Sequence, residues 1–100
     1  MMHDSIRLLD CGIVPFARSQ ALYHAVAEAM VPDAPDTLIL LAPDRPYFCI
    51  GFHQDPRLEL DLDFCRAQNF PVLRRRVGGG ATYLDSRQLF YQLIVHHRRA

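Results

Sequence analysis

Apolar residues follow two spacings along the first third of the chain, and each change of spacing marks a predicted element. Residues 6–11 form a short, mostly apolar run that favours a strand ending at Gly12. From Pro15 onward, apolar residues recur at helical spacing until the chain reaches Pro32. Proline suits the first turn of a helix and does not continue one, so this stretch predicts an amphipathic helix between the two prolines.

The middle of the chain predicts two buried strands and a short helix. Apolar runs at 37–42 and 47–50 are typical of strands, and the Pro-Asp-Arg-Pro sequence between them favours a turn. Asp61 can accept hydrogen bonds from the first N–H groups of a helix, which we expect to end near Asn69.

The last third of the chain predicts three more strands. Pro71 opens a run that ends in three arginines, and 81–84 forms a second short run. Residues 89–95 are nearly all apolar, which is typical of a central strand covered on both faces. Little sequence follows this strand to supply its neighbours. We therefore expect residues 1–100 to be the N-terminal portion of a single larger domain, completed by further sequence or by a second chain.

Composition narrows the class of protein. Half of the 100 residues are apolar and 22% are charged, which favours one small globular domain. The formal net charge is zero, so neither nucleic acid nor a membrane surface is an expected partner. The three cysteines are widely spaced, which argues against a disulfide framework or a zinc site. With no signal peptide or apolar span in the sequence, we expect a reducing, cytoplasmic setting.

One stretch carries most of the candidate chemistry. Arg74, Arg75 and Arg76 stand at the end of a predicted strand, and Gly78, Gly79 and Gly80 follow directly. Successive N–H groups in a glycine turn can form an anion site, and neighbouring guanidiniums would strengthen it. The same residues also fit a plain sharp turn beside solvated arginines. We interpret the combination as a pocket for a phosphate or an activated carboxylate.

These residues and their spacing resemble the lipoate–protein ligase A family, which belongs with biotin–protein ligases and octanoyltransferases. The resemblance runs without a gap over 54–85, and its matching positions are Gln54-Asp55-Pro56, Glu59, Asp61, Arg74-Arg75, Gly78-Gly79-Gly80-Ala81 and Asp85. It implies an α/β (α+β) fold of the class II synthetase and biotin-ligase type. The expected architecture is a mixed, largely antiparallel sheet flanked by helices, here incomplete.

The resemblance also implies an activity and roles for individual residues. Family ligases use ATP and Mg²⁺ to activate lipoate as lipoyl-adenylate, and then transfer the acyl group to a lysine of a lipoyl carrier domain. We assign oxyanion contacts to Arg74 and Arg75, and a polar or metal-linked role to Asp85. Gly78, Gly79 and Gly80 are assigned as backbone donors to the substrate or adenylate, and Ala81 as a further contact to it. Gln54 is assigned as a pocket residue. An apolar wall of Phe48, Tyr83 and Phe90 would suit an aliphatic tail.

Two departures from the family pattern leave alternatives open. The family histidine before Asp85 is replaced by Leu84, and Gln88-Leu89 resembles the octanoyltransferase branch instead. The chain contains no lysine, so the essential family lysine is absent and no catalytic residue is assigned. The alternatives are a ligase that needs further sequence or a partner chain, an octanoyltransferase of lipoate biosynthesis, or a non-catalytic module that binds an acyl group or a nucleotide.

Overall fold

A computed structural model describes residues 5–96, and it contains six strands and three helices in that range. In chain order they are β1 (Arg7–Val14), α1 (Phe16–Ala29), β2 (Thr37–Pro43), β3 (Tyr47–Ile50), α2 (Pro56–Glu59), α3 (Leu62–Ala67), β4 (Val72–Arg74), β5 (Thr82–Leu84) and β6 (Phe90–Ile94). No helix within the described range is long and apolar enough to cross a membrane.

The strands form two three-stranded sheets, with the orders β1-β2-β6 and β4-β3-β5. In the first sheet β2 pairs parallel with β1 and antiparallel with β6. In the second sheet β3 pairs parallel with β4 and antiparallel with β5. The predicted α/β class is confirmed. The strands divide between two sheets, however, and parallel pairings are as frequent as antiparallel ones among the described strands, which corrects the expected single, largely antiparallel sheet.

Helix α1 covers one face of the first sheet, as its amphipathic pattern predicted. It begins after Pro15, and the backbone N–H of Phe16 donates to Asp44 Oδ1 at 2.9 Å, so a carboxylate from the turn after β2 caps the helix. Beneath the helix, Val14, Ile39 and Leu41 form the buried core of this layer. The helix is thereby tied to β2 both at its first turn and along its apolar face.

Strand β1 continues past the glycine at which we expected it to end. The register with β2 shifts between Asp10 and Gly12, and Gly12 has a φ of +63°. An extra residue opposite a regular strand, with glycine in the left-handed region, is a β-bulge. Gly12 therefore bends the strand rather than ending it, and pairing resumes to Val14.

Each of the two short helices between β3 and β4 is capped at its N-terminus by an aspartate side chain. The backbone N–H of Phe64 donates to Asp61 Oδ1 at 3.0 Å, which confirms the predicted cap of α3. Asp55 Oδ1 accepts from the N–H of Arg57 at 3.0 Å and caps α2, with Pro56 as its first residue. The sequence analysis did not predict α2, since four residues are too few for apolar periodicity to show.

Within residues 5–96, β6 lies at the edge of its sheet. Its predicted central position requires neighbours from further sequence or a second chain and stays a prediction. Phe90 and Ile94 pack under α1, whereas Tyr91 and Leu93 point to the opposite face. Within the described range no helix covers that face, where Leu8 is 56% exposed, Ile13 70%, Tyr91 75% and Leu93 57%. The run is apolar on both sides because both sides suit burial, but only one side is covered here.

A buried tyrosine connects α1 to the second sheet. Tyr47 of β3 is fully buried, and its hydroxyl lies 2.6 Å from Ser19 Oγ and accepts a hydrogen bond from Gln20 Nε2 at 2.9 Å. Burial raises the pKa of Tyr47, while these two hydrogen bonds act against that shift. The hydroxyl thus holds the helix over the sheet from which the glycine turn departs.

We predict that Tyr47→Phe lowers the free energy of unfolding by about 1–3 kcal/mol, because it leaves Gln20 and Ser19 short of a buried partner. The matched control is Tyr91→Phe, which changes a three-quarters exposed ring and should stay within about 0.5 kcal/mol of the parent. Urea unfolding followed by circular dichroism measures both. Equal midpoints for the two variants would mean that the Tyr47 hydroxyl does not hold the helix.

Candidate functional site

The structure brings the predicted arginines and glycines together at one end of the second sheet. Strand β4 runs beside β3, and the N–H of Arg75 donates to the Ile50 carbonyl at 2.9 Å as the last link between them. Beyond this point two loops leave the sheet: residues 51–55 follow β3, and residues 75–81 follow β4. The glycine turn, Gly78 to Gly80, is exposed to solvent.

The two loops pack backbone against backbone. The N–H of Phe52 donates to the Val77 carbonyl at 2.9 Å. A Cβ placed on Gly51 would lie 2.1 Å from the Gly79 carbonyl oxygen, so only glycine fits there. Gly79 itself has a φ of +118°, which favours glycine at the centre of the turn. Two glycines are therefore required by this packing, and the first of them lies outside the tri-glycine motif.

The guanidinium of Arg75 is inside the turn. Its Nη2 atom donates to the Gly80 carbonyl at 2.7 Å and to the Gly78 carbonyl at 3.3 Å. The oxyanion contact of Arg75 stays a prediction. Two of its N–H bonds point to carbonyls of the protein's own backbone. Its positive charge still lies at the turn, where it favours an anion nearby.

Arg74 fixes the neighbouring loop in the same manner. Its Nη1 atom donates to the carbonyls of Phe52 at 2.9 Å and Gln54 at 2.7 Å. The side chain of Gln54 then turns back, and its Oε1 atom accepts from the N–H of Gly51 at 2.8 Å. Gln54, predicted as a pocket residue, thus shapes the loop beside the pocket through a hydrogen bond to the backbone of Gly51.

Arg76 has a looser attachment than the two arginines before it. Its Nη1 atom lies 3.4 Å from Glu28 Oε1 on α1, and both side chains are 72% exposed. An ion pair that is this exposed contributes little to stability, typically below about 1 kcal/mol. Arg76 therefore anchors neither loop, in contrast to Arg74 and Arg75.

Asp85 is buried, with 6% of its surface exposed, at the end of β5. Its carboxylate accepts from Arg87 Nη2 at 2.7 Å, from Arg87 Nε at 3.2 Å and from the Arg87 N–H at 2.9 Å. These hydrogen bonds hold the pKa of Asp85 below its usual value. Among the described residues no group of three or more His, Cys, Asp or Glu side chains could hold a metal ion. The polar or metal-linked role of Asp85 stays a prediction.

A groove of about 410 Å³ lies between α1 and β4, beside the arginines. Alanines spaced one turn apart form part of its helical wall. Besides His24, the groove is lined by Ala17, Gln20, Ala21, Ala25, Glu28, Leu73 and Arg74 to Arg76. Small side chains on the helix make room that larger ones would fill. His24 also lines the groove, and its Nε2 atom is buried without a hydrogen-bond partner among the described residues.

The expected apolar wall is divided in the structure. Phe48 and Tyr83 lie together on the second sheet, with ring centroids 5.4 Å apart, and Phe70 joins them. Phe90 belongs to the other sheet and packs under α1. The prediction of one wall from these three aromatics is therefore wrong, since Phe90 faces a different core.

Sequence reasoning also missed residues that the structure places in the site. The sequence gives no functional signal for Gly51, which directly follows the apolar run 47–50, or for His24 within the predicted helix. The alanines at 17, 21 and 25 fit the predicted helix, and their four-residue spacing puts them on one face of it. That spacing was the available signal for a groove along the helix.

We predict that Gly51→Ala destabilises the fold by about 1–3 kcal/mol, because the new methyl group overlaps the Gly79 carbonyl. Gly78→Ala is the control, since a Cβ there meets no atom within 4 Å. Thermal unfolding of the two variants gives the comparison. A Gly51→Ala protein that unfolds at the parental temperature would show that the loops separate at no cost.

Comparison with known proteins places this geometry in context. Residues 14–100 match the family model of the lipoyl protein ligase A/B catalytic domain. Octanoyltransferase LipM of Symbiobacterium thermophilum is 32% identical over 95 residues, which are 94% of this chain and 34% of that protein. A lipoate–protein ligase of Streptococcus pyogenes is 39% identical over 46 residues, or 41% of this chain and 14% of that protein.

Solved structures agree with the sequence relatives. The putative lipoate protein ligase Ta0514 of Thermoplasma acidophilum, with bound lipoic acid, has a TM-score of 0.78 at 28% identity over 87% of this chain. A lipoate-protein ligase A bound with ATP has a TM-score of 0.76 at 26% identity over 92% of this chain. Both alignments cover 36% of the other chain, so this chain spans about a third of the length of its relatives. The chain belongs to the lipoyl protein ligase A/B catalytic domain family.

Proposed function

We propose that this chain is the acyl-binding part of a catalytic domain that acts in protein lipoylation, by ATP-dependent activation of lipoate and transfer of the lipoyl group to a carrier-domain lysine. The observation that carries the proposal is the groove along α1, which opens beside an exposed glycine turn held by the guanidinium of Arg75. Family membership and a relative with bound lipoic acid support it.

The two parts of the site suit the two ends of an acyl-adenylate. The alanine and leucine walls of the groove are apolar and fit an aliphatic chain, and the groove volume lies in the range of ligand pockets, about 300–1,000 Å³. The carboxyl and phosphate end would lie at the turn, where exposed amide N–H groups and positive charge favour oxygen atoms. A ligand with both features uses the whole site.

The proposed reaction has two steps. A carboxylate oxygen of lipoate attacks the α-phosphorus of ATP, and pyrophosphate leaves with the electrons of the broken P–O bond. The carrier lysine then attacks the acyl carbon as a free amine, AMP leaves, and the amine loses a proton. Both steps build negative charge on oxygen, which fixed N–H groups and guanidiniums stabilise without reorganisation.

The described residues supply only part of this machinery. The chain has no lysine to pair with the carboxyl and phosphate oxygens, and one face of its first sheet is apolar and exposed. We propose that further catalytic-domain sequence, in the same polypeptide or in a partner chain, covers that face and supplies the missing cation. The described residues offer no cluster for Mg²⁺, so no step is assigned to the metal.

Two alternatives rest on specific observations. An octanoyltransferase passes an octanoyl group from one carrier to another without ATP, and Gln88-Leu89 together with the 32% identical octanoyltransferase relative favours it. A non-catalytic module would bind the acyl ligand in the same groove and stop there, which the absent lysine favours. All three functions fit the reducing cytoplasm that we propose, since Cys11, Cys49 and Cys65 are free thiols.

We expect the chain to bind a sulfamate analogue of lipoyl-adenylate or octanoyl-adenylate in a calorimetric titration. Ala21→Leu should weaken binding about tenfold or more, because the added side chain fills the groove. Ala27→Leu is the control on the same helix, exposed and away from the groove, and should bind as the parent does. Equal affinity for the two variants, or no binding by the parent, would contradict the proposed site.

Activity assays separate the three functions once binding is established. Exchange of labelled pyrophosphate into ATP that depends on lipoate identifies the ligase. Octanoyl transfer between carrier domains in the absence of ATP identifies the transferase. Each assay is run with the chain alone and with the polypeptide that continues it or is co-encoded with it. Binding with neither activity under both conditions would establish the non-catalytic module.

A further inference from the structure

The glycine turn has its carbonyls and its N–H groups on different sides. The carbonyl oxygens of Gly78 and Gly80 both point to the Nη2 atom of Arg75. The peptide bonds of the described residues are trans, and in a trans peptide the C=O and N–H bonds are antiparallel. The N–H groups of Gly79 and Ala81 therefore point away from the guanidinium.

Those two N–H groups make no hydrogen bond within the described residues. Within residues 5–96, neither Gly79 nor Ala81 donates its backbone N–H to another residue, and both residues are exposed. The Gly79 carbonyl, which lies between those of Gly78 and Gly80 in the chain, is directed at Gly51 instead of Arg75. Backbone contact with Gly51 and hydrogen bonds to Arg75 thus fix three successive peptide planes of the turn.

Arg75 is itself held in place. It is half-buried, and its backbone N–H is bonded to the Ile50 carbonyl. Its position is set by the second sheet rather than by solvent. A charged group on a fixed stem can hold two flexible glycine carbonyls where a mobile side chain would not.

We infer that Arg75 is a positioning residue for the acyl ligand. It holds the Gly78 and Gly80 carbonyls on one side of the turn, so that the N–H groups of Gly79 and Ala81 face the ligand on the other. The inference rests on the proposed function for the identity of the ligand and assigns Arg75 a different task from direct charge pairing. Preorganised donors bind more tightly because their ordering is already complete.

The two roles differ in how they depend on ligand charge. A guanidinium that pairs with the ligand favours an anionic analogue over an uncharged one, and its removal affects the anionic analogue alone. A guanidinium that orders the turn supports hydrogen bonds to both. Arg75→Ala should therefore weaken the charged octanoyl sulfamate of adenosine and the uncharged octanoyl amide of 5′-amino-5′-deoxyadenosine by the same factor, about tenfold or more.

Two controls accompany that titration. Arg66→Ala removes the same charge from an exposed ion pair on α3, outside the groove and the turn, and should change neither affinity by more than about twofold. Cys65→Ala lowers stability in α3, away from the groove and the turn, and should keep the parental affinities. Arg75→Gln, which retains an amide donor without the charge, serves if Arg75→Ala does not fold.

A second readout needs no ligand. Amide ¹⁵N relaxation of the free protein should show Gly79 and Ala81 ordered in the parent and mobile on the nanosecond timescale in Arg75→Ala. Unchanged relaxation in the variant overturns the inference, and so does a loss of affinity confined to the charged analogue. If the parent binds neither analogue, the proposed function fails, while the relaxation result still decides whether Arg75 orders the turn.

Discussion

Hydrogen bonds from two guanidiniums to four backbone carbonyls hold the candidate site together. Arg74 binds the carbonyls of the loop after β3, and Arg75 binds those of the turn after β4. Loops of this composition gain little from apolar burial, and glycine loses much conformational entropy when it is ordered. Charge-assisted bonds from side chains rooted in a sheet supply the order that the loops lack. The arginine pair therefore belongs to the framework of the site as well as to its charge.

The sequence was informative wherever a local pattern determined a local structure. The helix between Pro15 and Pro32, the Asp61 cap and the strands at 37–42 and 47–50 follow from spacing and capping chemistry. Which face of β6 is covered did not follow, because an apolar run indicates that both faces suit burial and not which of them another element contacts. The split into two sheets was equally hidden, since pairing partners are distant along the chain.

For the candidate site, the sequence indicated which residues meet but not what each one binds. Arg75 and the glycines were placed together by motif spacing, and the structure agrees. Their hydrogen bonds depend on which way three peptide planes are turned, and no residue pattern encodes that. Gly51 escaped notice for a related reason: its requirement comes from the Gly79 backbone, 28 positions later in the chain.

The contact between Gly51 and Gly79 restricts how this part of the chain can vary. When two side chains collide, a smaller partner can restore the fit at the second position. Here the obstacle is a carbonyl oxygen, which every amino acid carries, so no compensating replacement at position 79 exists. Any homologous sequence with a side chain at position 51 must therefore have rebuilt the course of its turn, and its arginine and glycine motif would no longer imply the same arrangement.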